Sequence, residues 1–209
     1  ATVDLAAVSF SNAIFFTVMV FAMGALMGIT PLVGIQVGAN QADCSKSHNS
    51  VISALFQNGV LFTILLSAVM LVLLGTCIPF LDHFGQDPEV INAARPYYIL
   101  IVISLVPFLF FSFFKQFLEG LGNTVVAMVI TLLMNGLNIL LNWVFIYGNW
   151  GFEPMGATGA GIGSLISRIG MPLCFWAVMA FHKEWKQYLR MTWERFSWQR
   201  IRELARIGF

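Results

Sequence analysis

Charge vanishes from this chain in blocks long enough to cross a bilayer. No Asp, Glu, Lys, Arg or His occurs in 5–42, 49–81, 96–114 or 120–152, and 154–181 carries only Arg168. A helix needs about 20 predominantly apolar residues to span the hydrocarbon core. The five blocks therefore read as membrane-spanning helices near 7–36, 50–80, 96–117, 123–147 and 156–181. Strands of a membrane barrel alternate apolar and polar over about 10 residues, and these blocks do not. Charged residues are 10% of the 209, against about 25% in a soluble domain. That excludes an ordinary water-soluble enzyme, and a 58% hydrophobic content excludes an intrinsically disordered chain. A net charge of +1 leaves no footprint for nucleic acid. Cys44, Cys77 and Cys174 have neither zinc-ligand nor disulfide-framework spacing and are expected to be apolar fillers.

Orientation follows from where the cations sit, because cytoplasmic loops collect Lys and Arg. The tail 182–209 holds seven of the eleven (Lys183, Lys186, Arg190, Arg195, Arg200, Arg202, Arg206), so it is expected to be cytoplasmic. Counting back, 148–155 lies outside with Glu153 and no cation, and 118–122 lies inside beside Lys115. The acidic 81–95 loop (Asp82, Asp87, Glu89) lies outside, and 37–49 with Lys46 lies inside. Five spans ending inside put Ala1 outside. The first residues lack the basic start of a signal peptide, so a further span is expected before Ala1. The tail segment 183–207 alternates Trp185, Tyr188, Leu189, Phe196 and Leu204 with basic residues. That pattern suits an amphipathic segment on the cytoplasmic membrane surface or a linker between bundles.

Within the spans, Gly24/Gly28, Gly34/Gly38 and Gly159/Gly163 stand four apart, a spacing that lets helices pack closely in lipid or flex as gates. Pro31, Pro107 and Pro172 each remove a helix hydrogen bond and can bend their helices. The glycine-rich MGATGAGIGS (Met155 to Ser164) has no following Lys and no preceding strand, which excludes a phosphate loop. The fourth span is the most informative. Thr124, Thr131, Asn135, Asn138 and Asn142 are separated by 7, 4, 3 and 4 residues, so they form one polar stripe down an apolar helix. Amides in hydrocarbon need partners or water; the stripe either lines an aqueous cavity or bonds neighbouring helices. Ser53, Gln57, Asn58, Gln116 and Gln36 are further polar groups in or near spans; apart from Lys115 at the cytoplasmic end of the third, Arg168 is the one formal charge inside a span. No span carries an acid or a histidine. An intramembrane enzyme or a proton relay through a carboxylate thus has no visible residues here.

Several strings, in order across nearly the whole chain, resemble the multidrug and toxic compound extrusion (MATE) family and its NorM-like branch. They are LAAVS (Leu5 to Ser9), TPLVGIQVGA (Thr30 to Ala39), QFLEGLGNT (Gln116 to Thr124), NILLNWVFIYG (Asn138 to Gly148) and MGATGAGIGS. The resemblance implies an all-α transporter of twelve helices in two six-helix lobes, around a cavity that opens alternately to each side. The chain would be an internal piece holding five transmembrane helices, two to six, of the first lobe. Residues 182–200 would be the cytoplasmic link and 201–209 the start of helix seven. The implied activity is export of amphipathic or cationic drug-like compounds in exchange for Na+ or H+, with no other cofactor. The implied setting is a bacterial inner membrane, in contact with lipid, with the full-length protein a monomer. The family's polar site falls on Asn138 and Asn142 of helix five and Ser164 of helix six. Asn142 in place of an Asp is similar to the NorM-like branch, where Na+ coupling is common. The family's helix-one Asp lies outside this chain. The candidate substrate- and ion-binding residues are therefore Asn138, Asn142 and Ser164, with Asn135 and Gln36; Phe16, Met23 and Met27 are candidates for contact with apolar drugs. Two other readings stand beside this one. A lipid-linked oligosaccharide flippase of the same superfold would need a strongly cationic cavity. A non-transporting structural subunit would bury the stripe between helices.

Overall fold

A computed structural model describes residues 2–42, 49–83, 87–189 and 202. The loop around Lys46, the sequence 84–86, and most of the tail (190–201 and 203–209), including the expected start of a further helix, lie outside the described residues. Among those described there is no strand. The helices are α1 (Thr2–Met27), α2 (Ile29–Ala42), α3 (Asn49–Cys77), α4 (Pro88–Ile103), α5 (Leu105–Gly120), α6 (Thr124–Tyr147) and α7 (Gly156–Phe181). By length and composition these make five membrane-crossing units: Thr2–Ala39, Ser50–Leu81, Pro88–Gly120, Thr124–Tyr147 and Gly156–Phe181. The chain is an integral membrane protein.

Two boundaries differ from the charge-based reading. The third span starts at Pro88, not near 96, because a proline at the first helical position costs no hydrogen bond. Arg95 does not end the helix, since it sits on an exposed face. The first span likewise begins at Thr2 rather than near 7.

Of Pro31, Pro107 and Pro172, the first two interrupt their spans, whereas Pro96 lies inside a continuous α4. Pro31 has no N–H for the carbonyl of Met27, and the first span breaks at Gly28. Pro107 has none for Ile103, and the third breaks at Ser104. There the Ser104 hydroxyl donates to the Ile101 carbonyl at 2.7 Å, supplying a local acceptor–donor pair where the ladder is thinned. Around Pro172, by contrast, α7 runs unbroken.

The core lies around α5. Phe56 of α3 packs its ring 4.9 Å from Phe117 and 5.3 Å from Phe113, and Phe114 stacks on Phe175 of α7 at 6.5 Å. Tyr98, Phe15, Phe56, Phe113, Phe117 and Phe175 are all fully buried. Small residues set the close approaches. A Cβ on Gly120 would lie 2.7 Å from Val33 Cβ and 2.9 Å from the Thr30 carbonyl oxygen, so the end of α5 rests on α2. The same contact is tied by the Thr30 hydroxyl, which donates to the carbonyl of Gln116 at 3.0 Å and also meets its side-chain oxygen. Three polar residues of α3 bond back within that helix: Asn58 donates to the Ala54 carbonyl, Thr63 to Gly59 and Ser67 to Thr63, at 2.6–2.8 Å. Large apolar side chains such as Val125, Leu132, Leu133 and Ile139 stay exposed on α6; in hydrocarbon such a face has no drive to be covered.

Candidate functional site

The hairpin of α6 and α7 is built so that the two helices nearly touch. Asn123 caps α6, its side-chain oxygen accepting from the Val126 N–H at 3.1 Å. Gly148 ends the helix at φ 72, and a Cβ there would collide with Pro154; a left-handed glycine is what lets the chain turn back. The turn closes when the Met155 N–H donates to the Phe145 carbonyl at 3.0 Å. Along the seam α7 presents glycines. A Cβ on Gly159 would sit 2.6 Å from the Phe145 carbonyl oxygen, one on Gly163 would sit 2.5 Å from Asn142 Oδ1, and one on Gly170 would sit 3.1 Å from Met134 Sδ. For Gly159 and Gly163, the four-residue spacing serves close packing.

The stripe of α6 runs along the edge of this seam rather than through its middle. Asn135 is exposed; Asn138 and Asn142 are partly buried. The Asn142 amide donates from Nδ2 to Asn138 Oδ1 at a long 3.3 Å. Its own Oδ1, buried against the Gly163 backbone, has no hydrogen-bond partner among the described residues. A buried amide oxygen left without a donor costs roughly 1–3 kcal/mol, so an arrangement that keeps one is poised to accept something. Ser164, partly buried, follows Gly163 directly, one residue and about 100° further round α7, so of the three candidates the described contacts bring together Asn138 and Asn142. Thr131 is different: its hydroxyl donates back to the Ala127 carbonyl at 2.7 Å. With Thr124 it lines a groove of about 370 Å3 beside the Lys115–Glu119 ion pair (3.8 Å). Gln36 is not brought to the asparagines, because α2 packs on α1, α3 and α5. Phe16, Met23 and Met27 all stand exposed on α1, one face of that helix by their spacing.

A second polar group forms where α1, α4, α5 and α7 converge. Arg168 Nη1 donates to Ser104 Oγ at 2.7 Å, and its guanidinium lies over the rings of Phe15 (4.8 Å) and Phe108 (5.3 Å). Nearby, the Tyr97 hydroxyl donates to Asn12 Oδ1 at 3.0 Å. The sequence signal for this group was the lone charge of the fifth span, one helical turn after Ser164; its partners sit 60 or more residues away and share no period with it.

Five apolar spans, two of them broken, with a glycine seam between α6 and α7 define an all-helical integral membrane protein. A family model described as MatE matches residues 1–144, and the chain belongs to that family. Curated relatives include a probable multidrug resistance protein NorM of Geobacillus kaustophilus, 30% identical over 98% of this chain and 44% of the relative. A protein of the same description from Brucella suis is 26% identical over 98% of this chain and 42% of its own. The chain thus spans about two fifths of the length of these relatives. In fold it resembles an inward-facing multidrug resistance MATE family transporter of the MOP superfamily (TM-score 0.83, 20% identity, 99% of this chain and 44% of the other). It also resembles a MOP superfamily transporter from Pyrococcus furiosus (TM-score 0.72, 21% identity, 98% and 43%).

Proposed function

We propose that this chain is part of a lobe of a multidrug efflux antiporter in a bacterial inner membrane. In this reading it exports amphipathic or cationic compounds in exchange for Na+ or H+, by alternating access. The observation that carries it is the Asn142 amide, half satisfied at 3.3 Å by Asn138 and left with a buried free oxygen beside Gly163. Neutral oxygens from Asn138, Asn142 and Ser164 suit a hard cation such as Na+. The absence of an acid from α6 and α7 favours Na+ over H+ at this seam. An exchanger needs a site that ion and drug occupy at each other's expense, on a scaffold with two states that each biases. The breaks at Gly28 and Ser104 provide places where spans can rearrange. The relatives' description as multidrug resistance proteins supports the substrate class. A flippase is less favoured, since α6 and α7 together carry a single cation, Arg168. A structural subunit is less favoured because Asn135 is exposed and its two neighbours are only partly buried.

In the full-length protein, Asn138→Ala and Asn142→Ala should each lower ethidium efflux about tenfold, the equivalent of one lost ligand bond of about 1.4 kcal/mol, at unchanged expression. Normal efflux by both variants would remove these residues from the site. The orientation is checked separately. With the C-terminal side cytoplasmic, a cysteine replacing Trp150 should react with an impermeant maleimide added outside, and one at position 46 should react only after permeabilisation. The reverse pattern would invert the topology.

A further inference from the structure

Away from the asparagine seam, α3, α5 and α7 enclose an apolar groove of about 320 Å3. Phe56 and Val60 of α3, Phe110 and Phe114 of α5, and Leu173 and Trp176 of α7 line it, and α6 contributes nothing. The groove runs inward from one membrane surface. Trp176 stands five residues before the end of α7, roughly 8 Å along its axis, and Phe110 ten residues before the end of α5, roughly 15 Å. Its outer end is thus at the depth where Trp marks the membrane interface, and its inner end lies in hydrocarbon. Its floor is aromatic: Phe56 and Phe114 are buried, with ring centroids 6.1 Å apart. On its rim, Leu173 and Trp176 are more than half exposed.

The chain after α7 closes the surface end of this groove. Trp185 and Tyr188 are buried, and the Tyr188 ring meets Phe117 of α5 edge-on at 5.8 Å, so the segment is fastened to the bundle. That anchorage places Leu189 in the groove wall. The Leu189 N–H donates to the Lys186 carbonyl at 3.3 Å, and the Lys186 N–H to the His182 carbonyl at 3.0 Å. Lys183 and Lys186 are therefore held in the turns at the groove mouth; both are exposed, and Glu184 is the one acid of 182–189. Over 182–209 the sequence has seven cations against three acids.

We infer that the groove binds one anionic phospholipid from the leaflet on the tail's side. Its acyl chain lies against Phe56, Phe110 and Phe114, and its phosphate meets Lys183 and Lys186. An apolar slot that begins at the interface and carries cations at its mouth is complementary to a molecule with a hydrocarbon chain and a negative head. A neutral lipid gains the apolar contact alone, whereas basic residues beside a membrane favour anionic lipid. This site goes beyond the efflux reading and does not depend on it.

The test titrates the full-length protein in detergent with dioleoylphosphatidylglycerol and, separately, with dioleoylphosphatidylcholine, and counts bound lipid by native mass spectrometry. Wild type should retain one phosphatidylglycerol with about tenfold preference over phosphatidylcholine. The double variant Lys183→Gln/Lys186→Gln should lose that preference and keep phosphatidylcholine retention within about twofold of wild type. Leu173→Trp, at a largely exposed side chain, should fill the slot and lower retention of both lipids about tenfold. No preference in the wild type, or a preference that survives the lysine variant, would overturn the assignment. Retention untouched by Leu173→Trp would overturn it too, and would mean that the lipid sits elsewhere or that another helix fills the groove. If Leu173→Trp does not accumulate, the lysine pair, exposed and outside the core, decides alone on the same readings.

Discussion

Gly159→Val in the full-length protein is expected to leave little folded transporter to purify. A Cβ at this position would lie 2.6 Å from the Phe145 carbonyl oxygen, 2.7 Å from its carbon and 3.0 Å from the Ile146 nitrogen. All three are backbone atoms in the last turns of α6, so no rotamer change relieves the clash. Nor can the backbone retreat easily. The same carbonyl already accepts the Met155 N–H at 3.0 Å, and the turn beyond it is fixed by Gly148 at φ 72 against Pro154. Relief requires α6 and α7 to part along their whole seam. Overpacking by a methylene or two costs about 1–3 kcal/mol where side chains yield. Against backbone the cost belongs at or above the top of that range, a large share of a total stability of about 5–15 kcal/mol. The apparent Tm of detergent-purified protein should fall by roughly 10 °C, with yield falling alongside it. A wild-type melting curve would mean that the two helices are not held at the observed separation.

That seam shows how far the sequence carries the fold. The number of spans was legible because charge exclusion from hydrocarbon acts on every residue of a block, so the signal accumulates along the chain. Boundaries were less so: Arg95 looked like a stop, yet an exposed cation near a helix end can remain in the helix, and Pro88 at the first position fits its start. Proline positions were readable, but which of them interrupt a helix was not. Gly28 and Ser104 stand three residues before Pro31 and Pro107, where a residue without a side chain and a hydroxyl bonded to Ile101 accommodate a break; Pro172 lies in an α7 that stays continuous. The asparagine stripe was legible through its period. What the period does not encode is which neighbour it meets: that Thr131 turns back onto Ala127, that Gln36 sits on another part of the lobe, or that Arg168 reaches Ser104 across 64 residues. Those pairings are settled by packing between spans, which leaves no mark in any one of them.

Gly163→Ala separates the site from the scaffold. Its nearest obstacles differ in kind from those of Gly159. The one atom that is too close is Asn142 Oδ1 at 2.5 Å, whereas Asn142 N at 3.3 Å and Leu141 Cβ at 3.4 Å are close to ordinary contact. Oδ1 is the tip of a flexible side chain, so an alanine is accommodated by rotating the amide away. The cost is the 3.3 Å bond to Asn138 and a rotamer, about 1 kcal/mol in all, and the bundle survives. In the proposed transport reading, the amide then no longer stands where an ion or drug would meet it. The expected result is a near-native Tm with efflux reduced about tenfold. A double-mutant cycle sharpens the outcome, because residues that act through one another do not add. In an Asn142→Ala background there is no amide to displace, so Gly163→Ala should cost nothing more. Additive losses would mean that Gly163 acts through helix spacing alone. Unchanged efflux in the single variant would mean that the orientation of the Asn142 amide does not matter for transport.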